Sequence, residues 1–242
     1  MIRPDLPPLP QGEAAAFAAG EGDGCLFTSL TVCRDIDSRS AAMNMAIDEV
    51  LLETAAVPSI RFYEWNHPAL SFGYFGKFED VAAYQRDIVR RWTGGGIVFH
   101  GEDLTYSLVI PRGSPAFEES SMSIYERTHA AIRDALATNG HVSELAANTG
   151  PKISESCFAN PVRADLLLNG RKIAGAAQRR TRRGLLQQGS IQGVDLAPEF
   201  ERKFVADLAA NCYPKTIDDA LLERAHQLAE EKYGNEGWLR KR

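Results

Sequence analysis

An asparagine–glycine pair, Asn169-Gly170, stands between two runs of strand-forming residues, and few dipeptides constrain a fold as tightly. The shortest hairpin turn needs positive φ at both central residues, which asparagine and glycine accept. The pair predicts antiparallel strands over residues 165–168 and 172–178. Further strand-type runs cover residues 60–65, 69–75, 88–92, 97–100, 104–110 and 185–192. Helical spacing marks residues 40–54, where Met43, Ile47, Val50 and Leu51 recur after Ser38 or Ser40 as caps. It also marks residues 123–138, with Ile124, His129, Ile132 and Leu136 near one face. A short helix over 79–87 and two longer ones over 198–209 and 217–233 complete the reading. Many strands joined by short turns, with helices grouped before and after them, predict an α+β fold with mixed, largely antiparallel sheets.

A chain of 242 residues, 44% of them hydrophobic, suffices for one large core. A domain of this size hides about 70–75% of the surface of its unfolded chain. Residues 1–24, rich in prolines and acids, read as a flexible tail, and residues 25–242 as one domain. A net charge of -5 argues against a general nucleic-acid binder. No apolar run approaches the roughly 20 residues that cross a bilayer. The expected setting is cytoplasmic, with neither membrane nor nucleic acid as partner.

Four cysteines stand far apart, without a C-x-x-C pair or clustered histidines, so neither a metal site nor a disulfide is expected. Cys25 and Cys33 border an apolar strand and read as core residues. Cys157 differs, because it follows a polar stretch (152–156) and precedes Asn160-Pro161, the composition of a loop. Lys172 lies fifteen residues further on, just past the turn. A thiolate attacks an acyl carbon far better than a thiol, and a nearby ammonium favours the thiolate. The plainer alternatives are a loop cysteine and a solvated strand lysine.

A second chemical feature is the run from Arg90 through Arg91, Trp92, Thr93, Gly94, Gly95 and Gly96 to His100. Three glycines let backbone N–H groups approach a carbonyl oxygen or phosphate, and Arg91 offers an anion contact. The alternative is a glycine hairpin between two strands. The run is neither a Walker loop nor a dinucleotide fingerprint. His100 reads as a base for Cys157 or as a packing residue, and Asp165 as a partner of Lys172 or an exposed strand residue. Arg179, Arg180, Arg182 and Arg183 surround Thr181, giving either a dock for acidic carrier proteins or a solvated turn.

Several short motifs occur in one order: Asn44 to Glu49, Arg61-Phe62-Tyr63 with Trp65, Phe72 to Phe75, Arg90-Arg91-x-Thr93-Gly94-Gly95-Gly96, His100, and Lys172 to Gly175. That order resembles the lipoate-protein ligase and octanoyltransferase family, which shares its catalytic domain with biotin protein ligases. The resemblance implies a class II aminoacyl-tRNA synthetase/biotin ligase-like catalytic domain over residues 25–242. It implies an acyl tunnel beside the glycine loop, with Arg91, Thr93, Gly94, Gly95, Gly96, His100, Asp165, Gly175 and Ala176 binding the acyl group or ligand. The loop segment is similar to the octanoyltransferase type that passes octanoyl from acyl carrier protein through a cysteine to a carrier lysine. Cys157 and Lys172 would then be catalytic, with no cofactor. The acceptors implied are lipoyl domains of 2-oxoacid dehydrogenase E2 subunits or the glycine cleavage H protein. The uninterrupted glycine run looks more like the ATP-dependent lipoate ligases, for which ATP and magnesium would be needed. Gly101 stands where an aspartate often follows the histidine. A non-catalytic relative that binds acylated carriers is the third alternative.

Overall fold

The computed structural model describes residues 17–18, 24–150 and 157–241, with Phe17, Ala18 and Cys157 described by backbone alone. The tail expected over residues 1–24 lies almost wholly outside them. The elements begin with β1 (Phe17–Ala18), β2 (Phe27–Arg34), α1 (Ala41–Thr54), β3 (Ser59–Tyr63), β4 (Ala69–Phe72), β5 (Asp87–Arg90) and β6 (Val98–His100). Next come β7 (Leu104–Pro111), α2 (Ser121–Ala137), β8 (Glu144–Leu145), β9 (Leu166–Leu168), β10 (Arg171–Arg180) and β11 (Gly184–Ile191). Last are α3 (Phe200–Leu208), β12 (Ala209–Pro214), α4 (Asp219–Leu228) and α5 (Glu236–Leu239).

Among the described residues nine strands form one sheet in the order β1-β12-β2-β3-β7-β11-β10-β9-β8, and β5-β4-β6 form a second. The large sheet is antiparallel except where β2 runs parallel to β12 and β3, so the mixed α+β expectation holds. Asn169 and Gly170 both take positive φ, 52° and 74°, and close the β9–β10 hairpin as the sequence predicts. No helix among the described residues is long and apolar enough to cross a membrane.

Strand alternation divides the sheet into two buried faces of different chemistry. Ile60 and Phe62, Leu104, Leu108 and Ile110, and Leu185 point to one side, where they pack with α2 and α3. Their strand neighbours Arg61, Tyr63, Thr105, Ser107, Gln188 and Ser190 are also buried, yet polar. Fully buried Arg61 donates to Asp35 Oδ2 and Asn44 Oδ1, each at 2.7 Å, and to Asp48 Oδ1 at 2.9 Å. Asp48 also accepts from Ser107, Tyr63 and Gln188. α1, capped by Ser40, thus docks through a charged seam within its apolar contacts.

The short β1, which lies in the expected tail and pairs with β12, and the short β8 and α5 have no counterpart in the sequence reading. Three larger elements also differ from it. Residues 79–87 form no helix beyond one 3-10 turn, Phe78–Asp80, because Asp87 joins β5 and its carboxylate caps Ala41 N–H at 2.9 Å. α4 stops at Leu228 and continues as a π-type turn, Ala229–Tyr233, which carries the Tyr233 hydroxyl to Glu49. β12 was not foreseen, since Asn211 and Pro214 are poor strand formers. Pairing with β2 on one side and β1 on the other overrides that propensity.

Arg61→Met keeps length and removes charge. It is expected to lower unfolding free energy by about 3–5 kcal/mol in a urea titration, because Asp35 and Asp48 stay buried without their cation. An unchanged midpoint would show that the seam adds nothing net.

Candidate active site

The polar face of the sheet does not meet α1 everywhere. Where β7, β11 and β10 run past the start of α1 and the glycine loop, a cleft of about 440 Å³, partly open to solvent, remains between them. Met45, Tyr63, Trp65, Val98, Phe158 and Ala177 give it walls that expose almost only carbon. Arg91, His100, Lys172, Gly175 and Ala176 line the same space, so these five expected site residues converge.

On the β10 wall, Lys172 pairs with Leu167 but Ala174 pairs with Leu166, leaving Ile173 as an extra, bulged residue. A bulge shifts the alternation of the strand, and Lys172 and Gly175 both face the cleft. A Cβ at Gly175 would overlap Lys172 Cε and Nζ, so only glycine lets the lysine lie across the strand. Lys172 Nζ meets Asp165 Oδ2 at 2.7 Å, and both side chains are almost fully buried. Tyr125 of α2 donates to Asp165 Oδ1 at 2.6 Å and accepts from Ala176 N–H at 3.0 Å, while Val162 N–H caps the other oxygen. Cys157 opens a one-turn 3-10 helix, Cys157–Ala159, that packs on β10. Its neighbour Phe158 places its ring 5.4 Å from Lys172 Nζ. The Cys157 side chain lies outside the described residues.

The glycine loop lies behind the opposite wall: Arg91 and Val98 on either side of it reach the cleft, whereas the expected site residues Thr93, Gly94, Gly95 and Gly96 do not line it, and neither does Asp165. The run is also not a hairpin between paired strands. β5 and β6, which flank it, are separated by β4 and do not pair with each other. The loop crosses the end of β4 so closely that a Cβ on Gly73 would strike the backbone of Gly94 and Gly95. Arg91 holds it from below, donating to Gly94 O and Gly96 O at 2.9 Å and to Ser71 Oγ at 2.7 Å. Thr93 donates to Gln188, which in turn donates to Asp48, joining the loop to the Arg61 seam. His100 is bonded on both nitrogens, to Ser71 Oγ and to Asp103 Oδ2 at 2.7 Å each, and stacks on Trp65 with ring centres 4.0 Å apart. Asp103 also accepts from Thr105 and Ser190.

Burial acts on these groups in opposite directions. It pushes the Asp103 carboxyl up, but His100 and the hydroxyls of Ser190 and Thr105 outweigh it and hold the group down at about 2. Burial, with Asp165 adding to it, pushes the Tyr125 phenol far up, so Tyr125 acts as a hydrogen-bond donor. Burial also pulls His129, one turn along α2 from Tyr125, down to about 4 against the pull of Asp165.

The four arginines lie away from the cleft lining. Arg179 is half-buried, with its guanidinium 4.7 Å from the ring centres of both Tyr74 and Trp92. Exposed Arg180 donates to Phe117 O and Glu119 O. Arg182 and Arg183 are exposed, with Arg183 3.6 Å from Glu53.

Several site residues were not singled out from the sequence. Asp103 stands two places beyond Gly101, the position at which the family pattern often carries an aspartate, with the Gly101 turn (φ 141°) bringing it back to His100. Tyr125 and Gln188 sit on faces whose burial becomes plain only from sheet order. Had Tyr125 and His129 been read together, one helical turn apart, they would have marked a polar stripe on α2.

The family model for the lipoyl protein ligase A/B catalytic domain matches residues 40–207. The chain is 38% identical to octanoyltransferase LipM of Anoxybacillus flavithermus over 66% of its own length, and spans about 65% of that relative. It is also 38% identical to octanoyltransferase LipM of Halalkalibacterium halodurans, over 85% of this chain and 97% of the other. Protein Ta0514 of T. acidophilum with bound lipoic acid shares the fold, with a TM-score of 0.68 at 20% identity over 88% of this chain and 98% of that one. So does a lipoate-protein ligase A bound with ATP, with a TM-score of 0.67 at 19% identity over the same shares.

A buried neutral His129 makes stability depend on pH. Its folded value, about 4, lies below that of an unfolded histidine. Its contribution is therefore complete above about pH 6.5 and is lost as pH falls toward 4. About 3 kcal/mol should disappear across that window in urea titrations, and His129→Asn, which does not titrate, should flatten it. Parallel curves for the two proteins would refute the assignment.

Proposed function

Because the chain belongs to the lipoyl protein ligase A/B catalytic domain family, we propose that it is an octanoyltransferase that passes an octanoyl group through a Cys157 thioester to a carrier lysine. One observation carries this reading: a buried lysine, held by Asp165, faces an apolar cleft beside the turn that Cys157 begins. The relatives named octanoyltransferase support the same choice.

In the first half-reaction the Cys157 thiolate attacks the thioester of octanoyl-acyl carrier protein. A carbon–sulfur bond to Cys157 forms and the carrier's thiolate leaves. In the second, the amine of a lipoyl-domain lysine attacks the octanoyl-cysteine, an amide forms, the amine loses a proton and the Cys157 thiolate returns. Both tetrahedral intermediates carry an oxyanion, and in this reading the Lys172 ammonium stabilises it. Asp165 fixes the direction of that ammonium rather than touching substrate. The octanoyl chain lies along the carbon-lined walls, where each buried methylene contributes about 0.8 kcal/mol. Arg182 and Arg183 on the arginine turn, with exposed Arg180 held by main-chain carbonyls beside them, can steer an acidic acyl carrier protein, E2 lipoyl domain or glycine cleavage H protein to the surface.

The uninterrupted glycine run favours a second reading, ATP-dependent lipoate ligation, with ATP and magnesium as requirements. It asks Arg91 and the loop to hold phosphates. Arg91 instead directs hydrogen bonds inward, to Ser71 and to carbonyls of the loop itself. That arrangement supports the first reading.

With octanoyl-acyl carrier protein and no ATP, the intact mass should rise by one octanoyl group. Cys157→Ala should neither gain it nor transfer it, and Lys172→Met should fold but transfer about 10²–10³-fold more slowly. Normal transfer by Cys157→Ala would exclude the covalent route, and an absolute ATP requirement would select the ligase. Gly175→Ala, whose methyl displaces Lys172, is expected to lower kcat about 10²-fold with little loss of stability. Unimpaired turnover in that variant would mean that the lysine need not cross the strand where it does.

A further inference from the structure

Asp165 reaches Lys172 from an unusual backbone. Residues 162–165 form a turn in which Asp165 N–H donates to Val162 O at 3.0 Å and Ala164, its third residue, has φ 66°. Turns of this kind normally place glycine there, because an L side chain in the left-handed region costs about 1–2 kcal/mol. The turn directs the Asp165 carboxylate back over its own backbone, where Val162 N–H caps it, and toward Tyr125 and Lys172. An ordinary φ at Ala164 would swing the carboxylate away.

Two hydrogen bonds hold Ala164. Its N–H donates to Ala146 O at 2.7 Å, and its carbonyl meets His129 Nδ1 at 2.7 Å. A carbonyl only accepts, so Nδ1 carries the imidazole proton and Nε2 is an acceptor. That Nε2 is buried and has no hydrogen-bond partner among the described residues. An unmatched buried acceptor is unfavourable, and a leucine or phenylalanine would fill the same space without it. The Nδ1–H bond is what sets this side chain apart from apolar filling. α2 therefore grips the same feature twice: Tyr125 on the carboxylate, and His129 one turn later, its ring edge-on to Tyr125 at 4.2 Å, on the preceding carbonyl.

We propose that His129 is a positioning residue whose Nδ1–H fixes the left-handed turn at Ala164 and so aims Asp165 at Lys172. The inference rests on the reading of Lys172 as the ammonium that serves the acyl transfer. His129 does not touch substrate, and it acts through a main-chain carbonyl rather than by exchanging protons.

The test uses the full chain and two amides. Asparagine at 129 places its NH₂ where Nδ1 lies, whereas glutamine places it near Nε2. His129→Asn should keep octanoyl transfer within about threefold of the native protein. His129→Gln should lower kcat at least tenfold with the KM for octanoyl-acyl carrier protein within twofold. Made in an Ala164→Gly background, His129→Gln should cost less than threefold, since glycine takes the left-handed conformation unaided. A structural role alone would not produce that rescue. The side-chain ¹⁵N resonance of Lys172, assigned with Lys172→Arg, should move in His129→Gln and return in the double variant. That signal needs no turnover, so it judges the positioning idea even if octanoyl transfer proves to be the wrong reaction. Equal effects of Asn and Gln, an undiminished loss in the glycine background, or an unmoved Lys172 signal would each overturn the proposal. If His129→Gln does not fold, the comparison of His129→Asn with the native protein for kcat and the Lys172 signal decides it: a tenfold loss or a shifted signal overturns it.

Discussion

A guanidinium without solvent contact, that of Arg61, sets the conditions under which the rest of the structure exists. Removing such a charge from water is costly, and the cost is offset only if every N–H finds a well-placed acceptor. Asp35, Asn44 and Asp48 provide those acceptors. Two of the three lie on α1, so the helix must dock in one register or leave a bare charge behind. Asp48 then transmits the constraint, accepting from Tyr63 on β3, Ser107 on β7 and Gln188 on β11. Through Gln188 the same seam reaches Thr93 and the glycine loop. An apolar interface could give similar stability, but it would tolerate sliding. The charged seam does not, and the cleft inherits its dimensions from that refusal.

A second buried charge, Lys172, faces the cleft under different rules. Arg61 is enclosed on all sides and its geometry is used up within the fold. Lys172 meets the Asp165 carboxylate, lies over Gly175 where no side chain intervenes, and borders the cleft. Burial strengthens any interaction the ammonium makes with a charge appearing beside it, because little water is present to screen it. The fold thus separates a cation enclosed within the structure from one that borders the cleft, across a sheet four strands wide from β3 to β10.

Much of this was legible in the chain, and unevenly so. The Asn169-Gly170 turn named its own conformation, α1 was visible from spacing and a serine cap, and α2 from spacing, because those signals are local. The convergence of Arg91, His100, Lys172 and Gly175 was reached through ordered short motifs rather than through physics, since nothing in the spacing of residues 91 and 172 says that they meet. What stayed hidden was long-range. β12 is a strand because two neighbours pair with it, and Tyr125 faces Asp165 across forty residues. The glycine run misled in its plainer reading for the same reason. Strands on either side of a turn usually pair, but here β4 inserts between them, and that insertion depends on residues 69–72 rather than on the run itself.

The contradiction of an apolar cleft lined by polar residues resolves in the same terms. Ser71, His100, Thr105, Gln188 and Ser190 all border the space, yet their polar atoms are turned sideways: Ser71, His100, Thr105 and Ser190 into one another, into Arg91 or into Asp103, and Gln188 into Thr93 and Asp48. What remains facing inward is carbon and ring surface. A saturated network of this kind gives a guest no spare hydrogen bond, so it discriminates by shape and apolar contact alone. The polar exception is Lys172 on the β10 wall, with Asp165 buried behind it. On the proposed octanoyl transfer, a substrate would therefore be sorted twice: by a hydrocarbon body that fits the walls, and by one polar group that meets Lys172.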